Sequence, residues 1–193
     1  MDDALLRTLA ELARHSIHAE LDLARGAAPA TSAFAAHGAA FVTLTQASRL
    51  RGCIGTLEAW RSLAEDVAAN ARAAAMHDPR FPALTAAEIP NTEVEVSVLE
   101  AATPLAFADE TDLLRRLRPG HDGLTIRYRE RRATFLPSVW AQLPEPARFL
   151  DELRRKAGIP AHVAFTEIAV EHYTTRGSPR LSLALPATRR DAS

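Results

Sequence analysis

The one cysteine of the chain, Cys53, stands in Leu50-Arg51-Gly52-Cys53-Ile54-Gly55-Thr56, between two glycines and one residue away from an arginine. A thiol beside a fixed positive charge can act as a thiolate nucleophile or a redox group. Gly52 and Gly55 carry no side chains, so a ligand can approach the backbone and its N–H groups can face an anion. The competing reading makes Cys53 a small buried apolar residue and gives the glycines to a bend, since free cysteine is among the most buried residue types. Period-two alternation puts Arg51 and Cys53 on one face, with Leu50 and Ile54 on the other. Glycines this closely spaced in a strand mark a bulge, a tight bend or a close backbone approach.

A second group of polar residues lies on neighbouring strand-like stretches. If these share a sheet, Thr43, Thr45, Arg51, Cys53, Glu95 and Ser97 gather on one face and suit a small polar ligand. The alternative is a solvated face carrying an Arg51–Glu95 cross-strand ion pair. Asp78-Pro79-Arg80-Phe81 joins a turn, a charge and an aromatic residue. Arg80 there can hold a carboxylate or phosphate by a bidentate contact, or Asp78 can serve the turn while Phe81 fills the core. On the enzymatic reading Cys53 is the nucleophile or thiol carrier, Arg51, Asp78 and Arg80 surround an anionic substrate, and Glu95 or His77 moves protons. His15 and His18 are three apart on one helix, but no recognised metal pattern includes them, and no metal site is expected.

These residues are positioned by elements that the sequence also marks. Leu5, Leu9, Ala13, Ile17 and Leu21 form one apolar stripe of a helix. The stretches 41–46 and 50–56 predict a hairpin. Ser62-Leu63-Ala64-Glu65 is a capping box that starts an alanine-rich helix, which Pro79 stops. A second capping box is present at Thr85-Ala86-Ala87-Glu88. Val94, Val96 and Val98 alternate with Glu93, Glu95 and Ser97 as in a half-buried strand. Further along, the patterns predict a helix over 109–117, a hairpin over 123–136, a helix over 146–157 closed by Gly158, and a last strand over 163–173. Residues 186–193 read as a disordered tail. Strands and helices do not alternate regularly, so the expectation is an α+β fold with largely antiparallel pairing in one domain spanning 1–185.

With 23 basic and 24 acidic residues, the 193-residue chain has no global electrostatic footprint for nucleic acid, which is not an expected partner. The arginine-rich hairpin tip at 127–132 is read as solvated, since no RNP-like aromatic pattern accompanies it. A single cysteine excludes an intrachain disulfide and fits a reducing compartment. No stretch has the run of apolar residues a membrane helix needs, and Met1-Asp2-Asp3 does not resemble a secretory leader. A cytoplasmic location is the resulting expectation.

Leu50-Arg51-Gly52-Cys53-Ile54-Gly55, preceded by Phe41-Val42-Thr43-Leu44, resembles the signature of the AMMECR domain family, whose prokaryotic members are called AmmeMemoRadiSam system protein A. The resemblance continues through Asp78-Pro79-Arg80-Phe81-Pro82, Glu95-Val96-Ser97-Val98-Leu99 and His121-Asp122-Gly123-Leu124. Later blocks are Phe135-Leu136-Pro137, Phe149-Leu150 and Lys156-Ala157-Gly158-Ile159-Pro160, in family order from Leu5 to Tyr173. The resemblance implies an α+β fold in two lobes, with helices flanking a largely antiparallel sheet. It also implies action with a Memo-like protein and a radical SAM protein. It supplies no reaction and no cofactor. An enzyme component and a non-catalytic adaptor, in which the motif serves folding or interaction, both remain open. Departures from the family pattern fall at Ser138, at Ala161-His162-Val163 and at Glu171-His172-Tyr173-Thr174-Thr175.

Overall fold

The computed structural model describes residues 1–24 and 26–184; the expected tail at 186–193 lies outside the described residues. In chain order the elements are α1 (Asp3–Glu20), β1 (Ala40–Gln46), β2 (Arg49–Gly55), α2 (Leu63–Met76), β3 (Thr92–Leu99), β4 (Thr103–Pro104), α3 (Glu110–Arg116), β5 (Gly123–Tyr128), β6 (Arg131–Phe135), α4 (Pro146–Ala157), β7 (Ala169–Tyr173), β8 (Thr175–Gly177) and β9 (Leu181–Ser182). The chain divides into two compact units, the first from Met1–Leu99 with the described part of Arg176–Ser193, the second from Glu100–Thr175. Both combine helices with antiparallel pairing, so the fold is α+β.

In the first unit the strand order is β2-β1-β3-β8, with β9 also on β3. α1 begins at Asp2, whose carboxylate accepts the Leu5 N–H at 2.9 Å. α2 begins in the capping box that the sequence marks, with Ser62 and Glu65 each accepting the other's backbone N–H. The inner residues of both helices pack on Val42, Leu44, Val94 and Val96 to form one core. Alternation then sends Thr43, Glu93, Glu95 and Ser97 to the opposite, half-buried face of the sheet. The turn between β1 and β2 holds Ala47 and Ser48 at φ 46° and 63°, left-handed backbone that costs an L residue about 1–2 kcal/mol.

The second unit has the strand order β4-β7-β5-β6. Leu124, Ile126 and Val170 of this sheet pack with Phe149, Leu150 and Leu153 of α4. Trp140 stacks on Phe149, ring centroids 3.8 Å apart, and donates its Nε1–H to the Asp122 carbonyl at 2.7 Å. α4 ends where expected, at Gly158 with φ 67°. The expected last strand is shorter than the sequence suggests. Residues 163–168 include a 3₁₀ turn, Phe165–Glu167, and only Ala169–Tyr173 pairs as β7. The apolar spacing of Val163, Phe165 and Ile168 serves burial from a turn, not from a strand.

Candidate functional site

Register on the first sheet fixes where the motif residues go. Thr43 pairs with Cys53 on one side and with Glu95 on the other, so Cys53, Thr43 and Glu95 form one rung. Cross-strand partners share a face. Cys53 therefore lies on the face away from α1 and α2. Its sulfur is half-buried and accepts the Thr43 hydroxyl at 3.3 Å. Ser97 pairs with Phe41, one step along the same face, and Glu95 accepts Arg180 Nε at 2.9 Å.

Arg51 departs from the alternation. β1 pairs Leu44 with Gly52 but Thr45 with Leu50, and the register shift leaves Arg51 as the extra residue of a bulge. Its side chain is only 10% exposed and turns to Glu88, with Nε to Oε1 at 2.8 Å and Nη2 to Oε2 at 3.2 Å. Nη2 also donates to the Ala83 carbonyl at 3.4 Å, while Nη1 is buried with no hydrogen-bond partner. The alternative of an Arg51–Glu95 pair is thus corrected: Arg51 pairs with Glu88, and Glu95 with Arg180. The reason is the register, which gives the rung of Glu95 to Cys53, while the bulge turns Arg51 out of the ladder toward Glu88. Glu88 sits in the capping box of the 3₁₀ turn Ala86–Asn91, accepting the Thr85 N–H at 2.9 Å. The hydrogen bond from Arg51, reinforced by those from Thr85 and Gln46, outweighs burial and holds the Glu88 carboxyl down to about 2.

The guanidinium beside the thiol is Arg80. β2 is an edge strand, and Asp78 and Arg80 cap its open side at Cys53. Asp78 Oδ2 accepts the Cys53 N–H at 2.8 Å, and Arg80 Nη2 donates to the Cys53 carbonyl at 3.1 Å. The two side chains pair with each other, Nη2 to Oδ2 at 2.6 Å and Nε to Oδ1 at 2.9 Å. Asp78 is buried, and the Arg80 side chain holds its carboxyl well below the usual carboxylate range, helped by the Cys53 N–H. Arg80 is held above its usual range, first by Asp78 and also by the Cys53 sulfur. Asp78-Pro79-Arg80 therefore does two jobs: it covers a sheet edge and it fixes the backbone that carries the thiol. Phe81 lies against both arginines, its centroid 5.9 Å from the Arg51 guanidinium carbon and 5.6 Å from that of Arg80. His77 caps the end of α2 and is exposed.

The glycines are explained by the chain's own atoms. A Cβ on Gly52 would stand 2.2 Å from the Ala74 carbonyl oxygen of α2, and one on Gly55 2.2 Å from the Phe41 ring. Both positions are needed for close approach, and the space beside each is filled from within the protein.

One polar cluster escapes the sequence reading. Asp66, fully buried, accepts the Ala40 N–H at 2.9 Å, Arg61 Nη2 at 2.8 Å, Asn70 Nδ2 at 2.9 Å and the Thr56 hydroxyl at 2.5 Å. It ties the end of the motif strand to the start of β1. The available signal was Asp66 and Asn70 four apart on the inner stripe of α2, among Leu63, Val67 and Ala74. In the second unit Asp122 has a similar structural use, taking the Arg118 N–H at 2.8 Å and Arg118 Nη2 at 2.6 Å. Among the described residues, no cluster of three or more His, Cys, Asp or Glu could hold a metal ion, and no helix is long and apolar enough to cross a membrane.

Archaeal proteins resemble this chain. One from Methanothermobacter thermautotrophicus is 38% identical over 121 residues, 62% of this chain and 63% of its own length. One from Saccharolobus solfataricus is 38% identical over 135 residues, 65% of this chain and 58% of its own. The chain thus spans less than two thirds of these relatives. The crystal structure of an uncharacterised protein from Pyrococcus horikoshii superposes with a TM-score of 0.77 at 26% identity, covering 94% of this chain and 97% of that one. A family model described as AMMECR1 matches residues 10–177, and the chain belongs to the AMMECR1 family.

Proposed function

We propose that the chain is the thiol-bearing member of a system with a Memo-like protein and a radical SAM protein, and that Cys53 and Arg80 receive a small anionic molecule. The partners follow from the resemblance of the motif blocks to AmmeMemoRadiSam system protein A. The observation that carries the site is the setting of Cys53, half-buried, with its sulfur on the Thr43 hydroxyl at 3.3 Å and its carbonyl on the Arg80 guanidinium at 3.1 Å. Asp78 uses Nε and Nη2 of Arg80, which leaves Nη1 for a ligand. Arg51, Gly52, Gly55 and Asp78 act here by holding the strand, and Glu95 and Ser97 extend the same polar face. Glu95 and His77 are the nominated proton carriers.

The alternative, a non-catalytic adaptor, draws support from the internal filling at Gly52 and Gly55 and from the Arg51–Glu88 pair. Intact-mass spectrometry on the chain co-expressed with both companions separates the two. The expected result is a Cys53-linked adduct that Cys53→Ser abolishes while co-purification of the companions is unchanged. Loss of co-purification in Cys53→Ser, with no adduct in the parent protein, would favour the adaptor.

A further inference from the structure

We infer that the second unit carries a groove for a small zwitterion, a molecule of about dipeptide size with an ammonium, a carboxylate and an apolar body. The groove has a volume of about 360 Å³ and lies where the chain leaves β4 and runs beside the start of β7. Pro104, Leu105 and Phe107 line it from one segment, Ala169 and Glu171 from β7, and Arg127 from β5. Register decides how the charges stand. Arg127 is directly across from Ala169, and Glu171 across from Thr125, so all four share one face of the sheet. Arg127 and Glu171 are then diagonal neighbours, about 7–8 Å apart, with the small side chain of Ala169 beside both.

Neither charge is satisfied within the chain. Among the described residues, Arg127 and Glu171 have no ion-pair or side-chain hydrogen-bond partner, and they do not pair with each other. Glu171 is half-buried, and a carboxylate that gives up hydration without gaining a partner is costly. A ligand ammonium would supply the partner, while Arg127, which is exposed, can take a carboxylate through two parallel N–H···O bonds. Leu105 and Phe107 are only partly buried against the core, which leaves apolar surface for an aliphatic body. A simple anion would satisfy Arg127 but meet Glu171 as a like charge, and a simple cation would meet the reverse. One molecule bearing both charges satisfies both. An added strand from a protein partner fits poorly. β4 is the edge of its sheet, the Leu105 N–H already donates to the Val170 carbonyl at 2.9 Å, and Pro104 has no N–H to offer outward. Glu171 also falls in the segment that departs from the family pattern, so the family signature does not account for the groove.

Amide chemical shifts of the isotope-labelled full chain, titrated with leucyl-glycine, test this. A ligand of about thirteen non-hydrogen atoms should bind with a Kd of about 1 mM, with saturable shifts at Ala106, Arg127 and Ala169. N-acetyl-leucyl-glycine and leucyl-glycinamide each lack one charge and should bind at least about threefold more weakly. R127Q and E171Q should each weaken binding about fivefold, and R129Q, on the adjoining turn, should bind like the parent. A169L keeps both charges but fills the space beside them, so it should weaken binding at least about tenfold while melting like the parent, because Ala169 is exposed. If A169L melts lower, R127Q and E171Q decide the case. No saturable shifts up to about 10 mM, equal binding of either blocked peptide, or parent-like binding by R127Q or E171Q would overturn the inference.

Discussion

Glu88→Ala should cost about 3 kcal/mol of folding stability, although Glu88 lies 37 residues from its partner and outside the glycine-cysteine motif. The substitution leaves the Arg51 guanidinium, 10% exposed, without a counter-ion at a place where Nη1 already lacks a partner. Breaking one half of a buried pair is expensive because the remaining charge stays desolvated. The cost falls at the low end of the usual range because the Glu88 side chain is 30% exposed. Removing both charges, in Arg51→Met with Glu88→Ala, should recover much of the loss. The same pair predicts acid sensitivity. The Glu88 carboxyl is held down to about 2 in the folded chain from its ordinary 4.5, so the unfolded chain binds the extra proton first. The contribution is therefore complete above about pH 4.5 and is lost as pH falls toward 2. Urea melts at pH 6 and pH 3.5 check this: the difference between parent and Glu88→Ala should narrow at the lower pH.

Gly52→Ala should be at least as damaging, about 3 kcal/mol or more, because its Cβ would meet the backbone carbonyl of Ala74 at 2.2 Å. No side-chain rotation removes a backbone clash, so α2 would have to shift off β2. Gly120→Ala makes the useful contrast. Gly120 has φ 80° and nothing within 4 Å, so the cost there is backbone strain alone, about 1–2 kcal/mol. Thermal or urea denaturation of the two variants distinguishes a glycine kept for space from one kept for conformation. Equal, small losses at both positions would refute the packing account of the motif.

The parts of the fold that were legible in the sequence are those written in local chemistry. Ser62 to Glu65 and Thr85 to Glu88 mark helical starts within four residues, and Gly158 marks a stop. The alternation of Val94, Val96 and Val98 gives β3 directly. The site was less legible, because its decisive contacts are long-range. The glycines do announce an irregular strand, but which residue is bulged depends on the pairing with β1, and that decides where Arg51 points. Adjacency in sequence therefore nominated Arg51 as the thiol's neighbour, while the chain folds Arg80 back onto Cys53 across 27 residues. Thr43 and Glu95 were placed correctly on one face because period-two alternation survives in the regular strands β1 and β3.

The central claim, that Cys53 is an accessible sulfur under the influence of Arg80, is tested most directly by alkylation of the native chain. Rates are measured with iodoacetate and with iodoacetamide at one pH and low salt, in the parent protein and in Arg80→Gln. The account predicts that native Cys53 reacts with both, and that the iodoacetate-to-iodoacetamide ratio falls about fivefold in the variant, the equivalent of about 1 kcal/mol for a half-exposed charge. A sulfur inert to both reagents until the chain is unfolded, or a ratio unchanged by the loss of Arg80, would contradict it.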